Sequence, residues 1–149
     1  MEREIADSLK QFFSAQKSLG ELGVIKSRDY IGDIGRYVCQ LAYGLKVPKG
    51  RRPTGYDGKI GKSRVAVRIN NCPIGTPVRL MEPLDFDELI VILGPNCLLR
   101  SEGVASDFIF YRFTTEEVRN RFKKIGSGYV GGGDVFDRTY DKVLNLITG

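Results

Sequence analysis

The sequence contains no histidine. This absence excludes serine nucleophiles activated by a Ser-His-Asp triad, Cys-His nucleophile pairs, imidazole acid/base chemistry and histidine metal sites. Any catalysis would have to use carboxylates, lysine, tyrosine or a divalent ion. Enzyme classes that require a catalytic or metal-binding histidine are therefore excluded.

Cysteines and long apolar runs are also scarce. The three cysteines, Cys39, Cys72 and Cys97, are an odd number at wide spacing, which argues against a disulfide framework and a closed zinc site. We expect them to be reduced and structural. The N-terminus is charged and amphipathic, and no run approaches the roughly 18 apolar residues of a membrane span. The sequence therefore predicts a soluble, cytoplasmic protein without a membrane partner.

Acidic residues are nearly missing from one segment, residues 46–79, in which Asp57 is the single carboxylate. Nine basic residues lie there: Lys46, Lys49, Arg51, Arg52, Lys59, Lys62, Arg64, Arg68 and Arg79. The whole chain carries a net charge of +5, so its positive charge is concentrated in this segment. Such a distribution favours a polyanionic partner, and a solvated basic loop is the alternative interpretation.

With 149 residues and 42% hydrophobic content, the chain is long enough for one α/β domain with a substantial core. Apolar spacing predicts an N-terminal helix at about residues 2–19 and a second helix at 29–45. Strands are predicted at 56–60 and 64–69, joined by Gly61-Lys62-Ser63. In the second strand, Val65 and Val67 should face away from Ala66 and Arg68.

The second half of the chain is predicted to add a sheet and a capped helix. The sequence LIVILG from Leu89 is typical of a central strand covered on both faces. Residues 97–100 and 107–113 are strand candidates, predicted as a hairpin. Thr114 or Thr115 should cap a helix that extends to Lys124 and completes a core at about 29–125. Residues 126–149 are predicted to form a glycine-rich loop followed by a short helix at 139–147.

Four short motifs occur in an order that resembles the PD-(D/E)XK nuclease superfamily: Gly32-Asp33-Ile34-Gly35, Gly55-Tyr56-Asp57, the strand from Val65 to Arg68, and Leu84-Asp85-Phe86-Asp87. More narrowly, the chain is similar to a family of small uncharacterised bacterial domains of that type. The resemblance implies a restriction-endonuclease-like core, in which a central mixed β-sheet is flanked by helices.

In that superfamily, two carboxylates hold Mg²⁺ and a lysine assists the attacking water. The resemblance places the first carboxylate on Asp57, the second on Ala66, the lysine on Arg68 and an additional helix glutamate on Arg36. Arginine remains protonated near neutral pH and cannot act as a base. Asp33, one helical turn from Arg36, is the residue that could serve as a substitute ligand. The resemblance therefore implies a catalytically impaired member of the fold.

Three functions remain open at this stage. The first is binding of nucleic acid, DNA by preference, without cleavage and without a cofactor, through Arg36, Arg51, Arg52, Lys59, Lys62, Arg64 and Arg68. The second is an active nuclease that holds Mg²⁺ or Mn²⁺ on Asp57 and Asp33, with Arg68 beside them. The third is a protein-interaction module, possible as a homo-oligomer, that uses the acidic residues Glu82, Asp85, Asp87 and Glu88 or an aromatic strand at 108–113. Arg36 and Arg68 could also form buried ion pairs with Asp33 or Asp57 that replace the metal.

Overall fold

The structure, a computed structural model, describes residues 1–50, 53–101 and 103–146. Its helices are α1 (Arg3–Glu21), α2 (Tyr30–Tyr43) and α3 (Thr115–Arg121), and a 3-10 helix covers Gly133–Phe136. Its strands are β1 (Gly58–Ile60), β2 (Ser63–Asn70), β3 (Val78–Met81), β4 (Glu88–Leu93), β5 (Phe108–Thr114), β6 (Lys123–Ile125), β7 (Gly128–Gly131) and β8 (Lys142–Leu144). The chain is therefore an α/β protein, as predicted.

A mixed five-stranded sheet with the order β1-β2-β4-β5-β8 lies at the centre. Strands β2 and β4 run parallel, with Val67 opposite Ile90, and the other neighbours in this sheet are antiparallel. A second antiparallel sheet has the order β3-β7-β6. The long connection between the parallel strands β2 and β4 contains β3, which joins this second sheet.

Strand β4 is the central strand that the LIVILG run predicts, because residues 89–93 are fully buried between β2 and β5. The two faces of the sheet cover separate core clusters. Ala66 packs with Leu89 on one face, whereas Val65 and Val67 pack with Ile90 on the other. The predicted alternation along β2 is confirmed.

Helix α2 packs on the face of the sheet that carries Val65 and Val67. It begins at the N-cap Asp29, whose side chain accepts a hydrogen bond from the Gly32 amide at 3.1 Å, and it ends at Gly44 in the left-handed conformation. At Gly35 an added Cβ would lie 3.0 Å from Ile69 Cγ2. A glycine is therefore needed where the helix closely approaches β2, and this approach carries the next residue, Arg36, to the edge of the sheet.

The predicted capping of α3 is confirmed. Thr114 Oγ1 accepts a hydrogen bond from the Glu117 amide at 3.1 Å, and Glu117 Oε1 accepts one from the Thr114 amide at 3.1 Å. The helix is shorter than predicted, because Phe122 leaves it in an extended conformation and its buried ring packs against Gly131. Lys123 and Lys124 consequently lie in β6 and not in the last helical turn.

Three other predictions for the second half of the chain are wrong. The predicted glycine-rich loop after residue 126 contains β7 and the 3-10 helix, because β7 pairs with β3 and β6. Residues 97–100 form a turn, in which the Arg100 amide donates to the Cys97 carbonyl at 3.4 Å, so the predicted hairpin does not form and β5 pairs with β4 and β8. The predicted C-terminal helix is replaced by β8. The spacing of Val143 and Leu144 is compatible with a helix and with a strand. They form a strand because Val143 pairs with Ile109 and Leu144 pairs with Phe108. Residue 147, the end of that predicted helix, lies outside the described residues.

Helix α1 forms as predicted, but it packs lightly. All of its residues are at least partly exposed, and Phe12 meets the Tyr30 ring of α2 at a centroid distance of 6.3 Å. Over the described part of the chain, no helix combines the length and the apolarity needed to cross a membrane.

Candidate functional site

Three of the residues predicted for a remnant active site converge around the guanidinium group of Arg36. Its Nη2 lies 2.7 Å from Asp33 Oδ1, and its Nη1 lies 3.2 Å from Asp57 Oδ1. All three side chains are buried, with 9%, 8% and 10% of Arg36, Asp33 and Asp57 exposed. We refer to Asp33, Arg36 and Asp57 as the arginine-aspartate cluster. Asp29 Oδ2, at 3.5 Å from Arg36 Nη2, adds a partly exposed carboxylate at its margin.

Asp33 is held by the chain that leads into α2. Its Oδ2 accepts hydrogen bonds from the backbone amides of Lys26 and Ser27, both at 2.7 Å, and from Ser27 Oγ at 3.0 Å. Burial by itself would raise the pKa of Asp33, but the hydrogen bonds from Arg36, Lys26 and Ser27 outweigh it and lower that pKa. Burial by itself would lower the pKa of Arg36. The hydrogen bond to Asp33 and the negative charges of the nearby carboxylates outweigh burial and raise that pKa. Both groups are therefore charged at neutral pH.

Asp57 extends the pairing of β1 along the edge of β2. Its backbone amide donates to the Val65 carbonyl at 2.8 Å, and its Oδ2 accepts from the Val67 amide at 2.8 Å. Because β1 pairs with β2 only as far as Val65, the side chain of Asp57 satisfies the next donor along that edge. Asp57 thus has a structural role that is independent of any ligand.

Arg68 reaches the same edge from the outside. Its Nη1 lies 3.7 Å from Asp57 Oδ2 and donates to the Val67 carbonyl at 3.0 Å. In contrast to Arg36, 45% of the Arg68 side chain is exposed. All four residues predicted for the remnant site therefore lie together, with Arg36 inside and Arg68 at the surface.

The residues at this site do not fit Mg²⁺ or Mn²⁺. The Arg36 guanidinium lies between Asp33 and Asp57, and N–H groups occupy the oxygens to which a cation would bind. Ala66, at the second carboxylate position, is buried in the core. Across residues 1–50, 53–101 and 103–146, no group of three or more potential ligand side chains is placed to hold a metal.

Three concavities are lined by residues of this site and their neighbours. A cleft of about 630 Å³ is lined by Lys26, Asp33, Arg36 and Lys49. Beyond the Arg36–Asp57 ion pair lies a pocket of about 360 Å³ lined by Asp57 and Arg68, and Arg68 also borders a pocket of about 530 Å³ that contains Arg79. We call the five cations that line the three concavities the basic track: Lys26, Arg36, Lys49, Arg68 and Arg79.

The other predicted binding residues lie elsewhere. Lys59 and Lys62 are exposed on the β1–β2 hairpin and line none of these three concavities. Arg64 is joined to Asp87, with Nη2 3.2 Å from Oδ1 and Nε 3.3 Å from Oδ2. Arg51 and Arg52 lie outside the described residues.

Sequence reasoning did not assign Lys26, Lys49, Arg79 or Tyr37 to the site, although all four line the concavities. Lys49 and Arg79 belong to the basic segment, so their charge was a signal, but Lys26 precedes it. The sequence Lys26-Ser27-Arg28 immediately before the Asp29 N-cap could have indicated basic residues at the start of α2. Tyr37 follows Arg36, and its position at the surface of α2 depends on how the helix packs.

The surfaces considered for protein binding are largely engaged within the chain. Glu82 Oε1 accepts from Tyr129 Oη at 2.8 Å and from Arg119 Nε at 3.2 Å, and Glu88 pairs with Arg112 at 2.7 Å. The aromatic strand 108–113 is not a sheet edge, because β5 lies between β4 and β8 and Phe108, Phe110 and Phe113 are buried. Its rings therefore belong to the core.

In the described part of the chain, the arrangement provides exposed cations in concave surfaces, and its two buried carboxylates are engaged by donors. Asp33 and Asp57 accept hydrogen bonds from Arg36 and from neighbouring backbone amides. Such a site can bind a multivalent anion. No protein-family model matches the chain, and no curated protein matches its sequence significantly.

Proposed function

We propose that the protein binds nucleic acid, DNA being the first candidate, without cleaving it, through the basic track on a restriction-endonuclease-like core. The observation that carries this proposal is the insertion of Arg36 between Asp33 and Asp57. A nuclease would hold its metal at such a pair of carboxylates. Here Arg36 occupies that place, and Arg68, with its Nη1 3.7 Å from Asp57 Oδ2, adds a second positive charge. The two acids are thus balanced by two arginines, and the remaining cations of the track can attract phosphate.

The fold supports the proposal in two respects. The hairpin β1–β2 is followed by a strand, β4, that lies parallel to β2, and α2 packs on the same mixed sheet. Asp57 and Arg68 lie on this hairpin, as the resemblance to nuclease cores implies. We therefore propose a restriction-endonuclease-like core because the strand topology and the positions of Asp57 and Arg68 both agree with it.

The charge of the track supports binding to a polyanion. Five cations line the three concavities, compared with the two carboxylates of the arginine-aspartate cluster. Lys26, Lys49 and Arg79 are exposed and can each contact a phosphate. When basic side chains neutralise phosphates, bound counterions are released. This release supplies most of the binding free energy in non-specific binding.

The test is a titration of labelled DNA at several salt concentrations. We expect measurable binding at low salt, with an affinity that decreases as salt rises. Lys49→Glu and Arg79→Glu should each weaken binding and reduce the slope of log affinity against log salt by about one. Lys10→Glu makes the same charge change at an exposed position of α1 that lines none of the three concavities, and it serves as the control.

Binding that is undetectable at low salt, or indifferent to salt, would refute the proposal. Equal loss in Lys10→Glu and in the track variants would show that only net charge matters. The nuclease alternative is tested by incubation of plasmid and single-stranded DNA with Mg²⁺ or Mn²⁺. We expect no cleavage, and cleavage that disappears in Asp57→Ala would establish the enzyme instead.

Helix α1 favours a second candidate function, a protein-interaction module. Ile5, Leu9, Phe12 and Phe13 are all exposed along this helix. Apolar side chains grouped in this way are typical of a surface that meets a protein partner. Light scattering after size exclusion tests self-association, and a monomer at all concentrations would remove the homo-oligomer from consideration.

A further inference from the structure

The pocket at the end of the basic track differs from the other two concavities because its inner wall is apolar. Ile31, Ile69, Pro77 and Val78 line it together with Arg68 and Arg79, and the polar side of the lining consists of Asn70, Asn71, Cys72 and Thr76. Val78 is buried, Ile69 and Pro77 are half-buried, and Ile31, Arg68 and Arg79 are exposed, so the deepest part of the wall is apolar and the cations lie at the rim. With a volume of about 530 Å³, the pocket is large enough for a nucleobase and its sugar.

This combination matches one nucleotide better than it matches a phosphate alone. Phosphate oxygens gain nothing from Ile69 or Val78, because they need hydrogen-bond donors or positive charge. A nucleobase has apolar faces that can be buried, and the phosphate attached to its sugar can remain at the rim. The pocket therefore provides a separate contact for each part of a nucleotide.

A double helix cannot use such a pocket without disruption. Its bases are stacked and paired inside, and it presents phosphates on a convex surface. A single strand can turn one base outwards, and burial of unstacked bases on apolar or aromatic side chains is the usual way in which single strands are bound. Tyr37 in the first cleft and Tyr56 in the middle pocket add aromatic rings along the same track.

We infer that the nucleic acid bound by this protein is single-stranded, and that one unstacked base enters the apolar pocket between Ile31 and Val78 while Arg68 and Arg79 hold the adjoining phosphates. This inference rests on the proposed function and specifies the form of its ligand. The three concavities then accommodate successive parts of one strand.

The experiment measures fluorescence anisotropy of four labelled 12-mers: oligo-dT, oligo-rU, a DNA duplex and a strand of abasic deoxyribose phosphates. The abasic strand has the backbone charge of oligo-dT but no bases. We expect oligo-dT to bind about tenfold more tightly than the abasic strand, from the energy of burying a base, and more tightly than the duplex. The oligo-rU arm distinguishes RNA from DNA as the source of the strand.

Two matched variants locate the base. Ile31→Ala removes part of the pocket wall at a position that is 43% exposed, and alanine is compatible with the first turn of α2. Ile74→Ala makes the same change on the neighbouring loop, where the side chain is 81% exposed and lies outside the pocket lining. Ile31→Ala should weaken oligo-dT several-fold, as for loss of a base contact, and leave the abasic strand unchanged. Ile74→Ala should leave both unchanged.

The outcomes separate the two proposals. If none of the four ligands binds at low salt, the proposed function itself fails. If the duplex or the abasic strand binds as tightly as oligo-dT, nucleic-acid binding stands but the single-strand inference is overturned. An equal effect of Ile31→Ala on oligo-dT and on the abasic strand would also overturn it, because the wall would then not contact a base.

Discussion

Replacement of Arg36 by glutamine is the sharpest test of the arginine-aspartate cluster. The variant leaves Asp33 and Asp57 buried and charged without the guanidinium that now lies 2.7 and 3.2 Å from them. Removal of one partner from a buried ion pair costs about 3–5 kcal/mol. In a protein of about 150 residues, each kcal/mol lowers the unfolding temperature by roughly 2–4 °C. We therefore expect Arg36→Gln to unfold roughly 6–20 °C below the native protein at pH 7.

Arg64→Gln is the matched control, because it makes the same substitution in an ion pair with Asp87 whose side chains are about half exposed. Exposed pairs contribute little to stability, so this variant should lose much less than Arg36→Gln. Thermal unfolding followed by circular dichroism measures both. If Arg36→Gln loses no more than Arg64→Gln, the guanidinium does not hold the two acids, and the idea that it replaces a metal is wrong.

The pH dependence of the same variant provides an independent check. In the native protein the pKa of Asp33 lies below its usual value of 3.8, so its stabilising contribution is present above about pH 4 and is lost as the pH falls through the lowered pKa. Burial raises the pKa of Asp33, and the hydrogen bond from Arg36 opposes this effect. Without Arg36, the pKa of Asp33 therefore rises. Asp33 can then become neutral at a higher pH. The stability difference between the two proteins should accordingly be largest near pH 7 and shrink towards pH 4.

Three further predictions follow from the described contacts. Millimolar Mg²⁺ or Mn²⁺ should leave the unfolding temperature unchanged, because Arg36 lies where a cation would bind, and an increase of several degrees would reveal a metal site. Thr114→Ala should cost about 1 kcal/mol in urea unfolding through loss of the α3 capping box, whereas the same change at the neighbouring Thr115 should cost less. Brief alkylation of the native protein should label Cys72 before Cys39, since burial raises the pKa of Cys39 to about 12 and the hydrogen bond with Thr76 lowers that of Cys72. Early labelling of Cys39, read by mass spectrometry, would contradict its burial.

The elements that could be predicted from the sequence are those with local signals. Helix α2 has a side-chain cap at Asp29 and a glycine stop at Gly44, and β4 is a continuous apolar run bounded by polar residues. Strands β3, β6, β7 and β8 contain only three or four residues each, too few to display a period. Their formation depends on pairing with distant segments, as between Val78 and Gly131. This information is not present in any short window of sequence.

The candidate site divides in the same way. Asp33 and Arg36 are one turn apart on α2, so their contact could be predicted from spacing alone. The contribution of Lys26 and Arg79 could not be predicted. Lys26 lies on the chain leading into α2, and Arg79 lies on β3 of the second sheet. Only the folded chain places both beside the same site. Of the basic segment, Arg68 lies at this site as predicted, whereas Lys59, Lys62 and Arg64 lie elsewhere.

The geometry also explains why an arginine is needed at position 36. Asp57 is required by the backbone, since its Oδ2 accepts the Val67 amide where the pairing of β1 ends. A buried carboxylate needs a compensating positive charge, which a metal ion or a basic side chain can supply. Gly35 allows α2 to approach β2 closely enough for Arg36 to supply that charge to Asp57 and Asp33 together. Arg36 balances one of the two negative charges, and Arg68, with its Nη1 3.7 Å from Asp57 Oδ2 and 45% of its side chain exposed, adds a second positive charge at the surface.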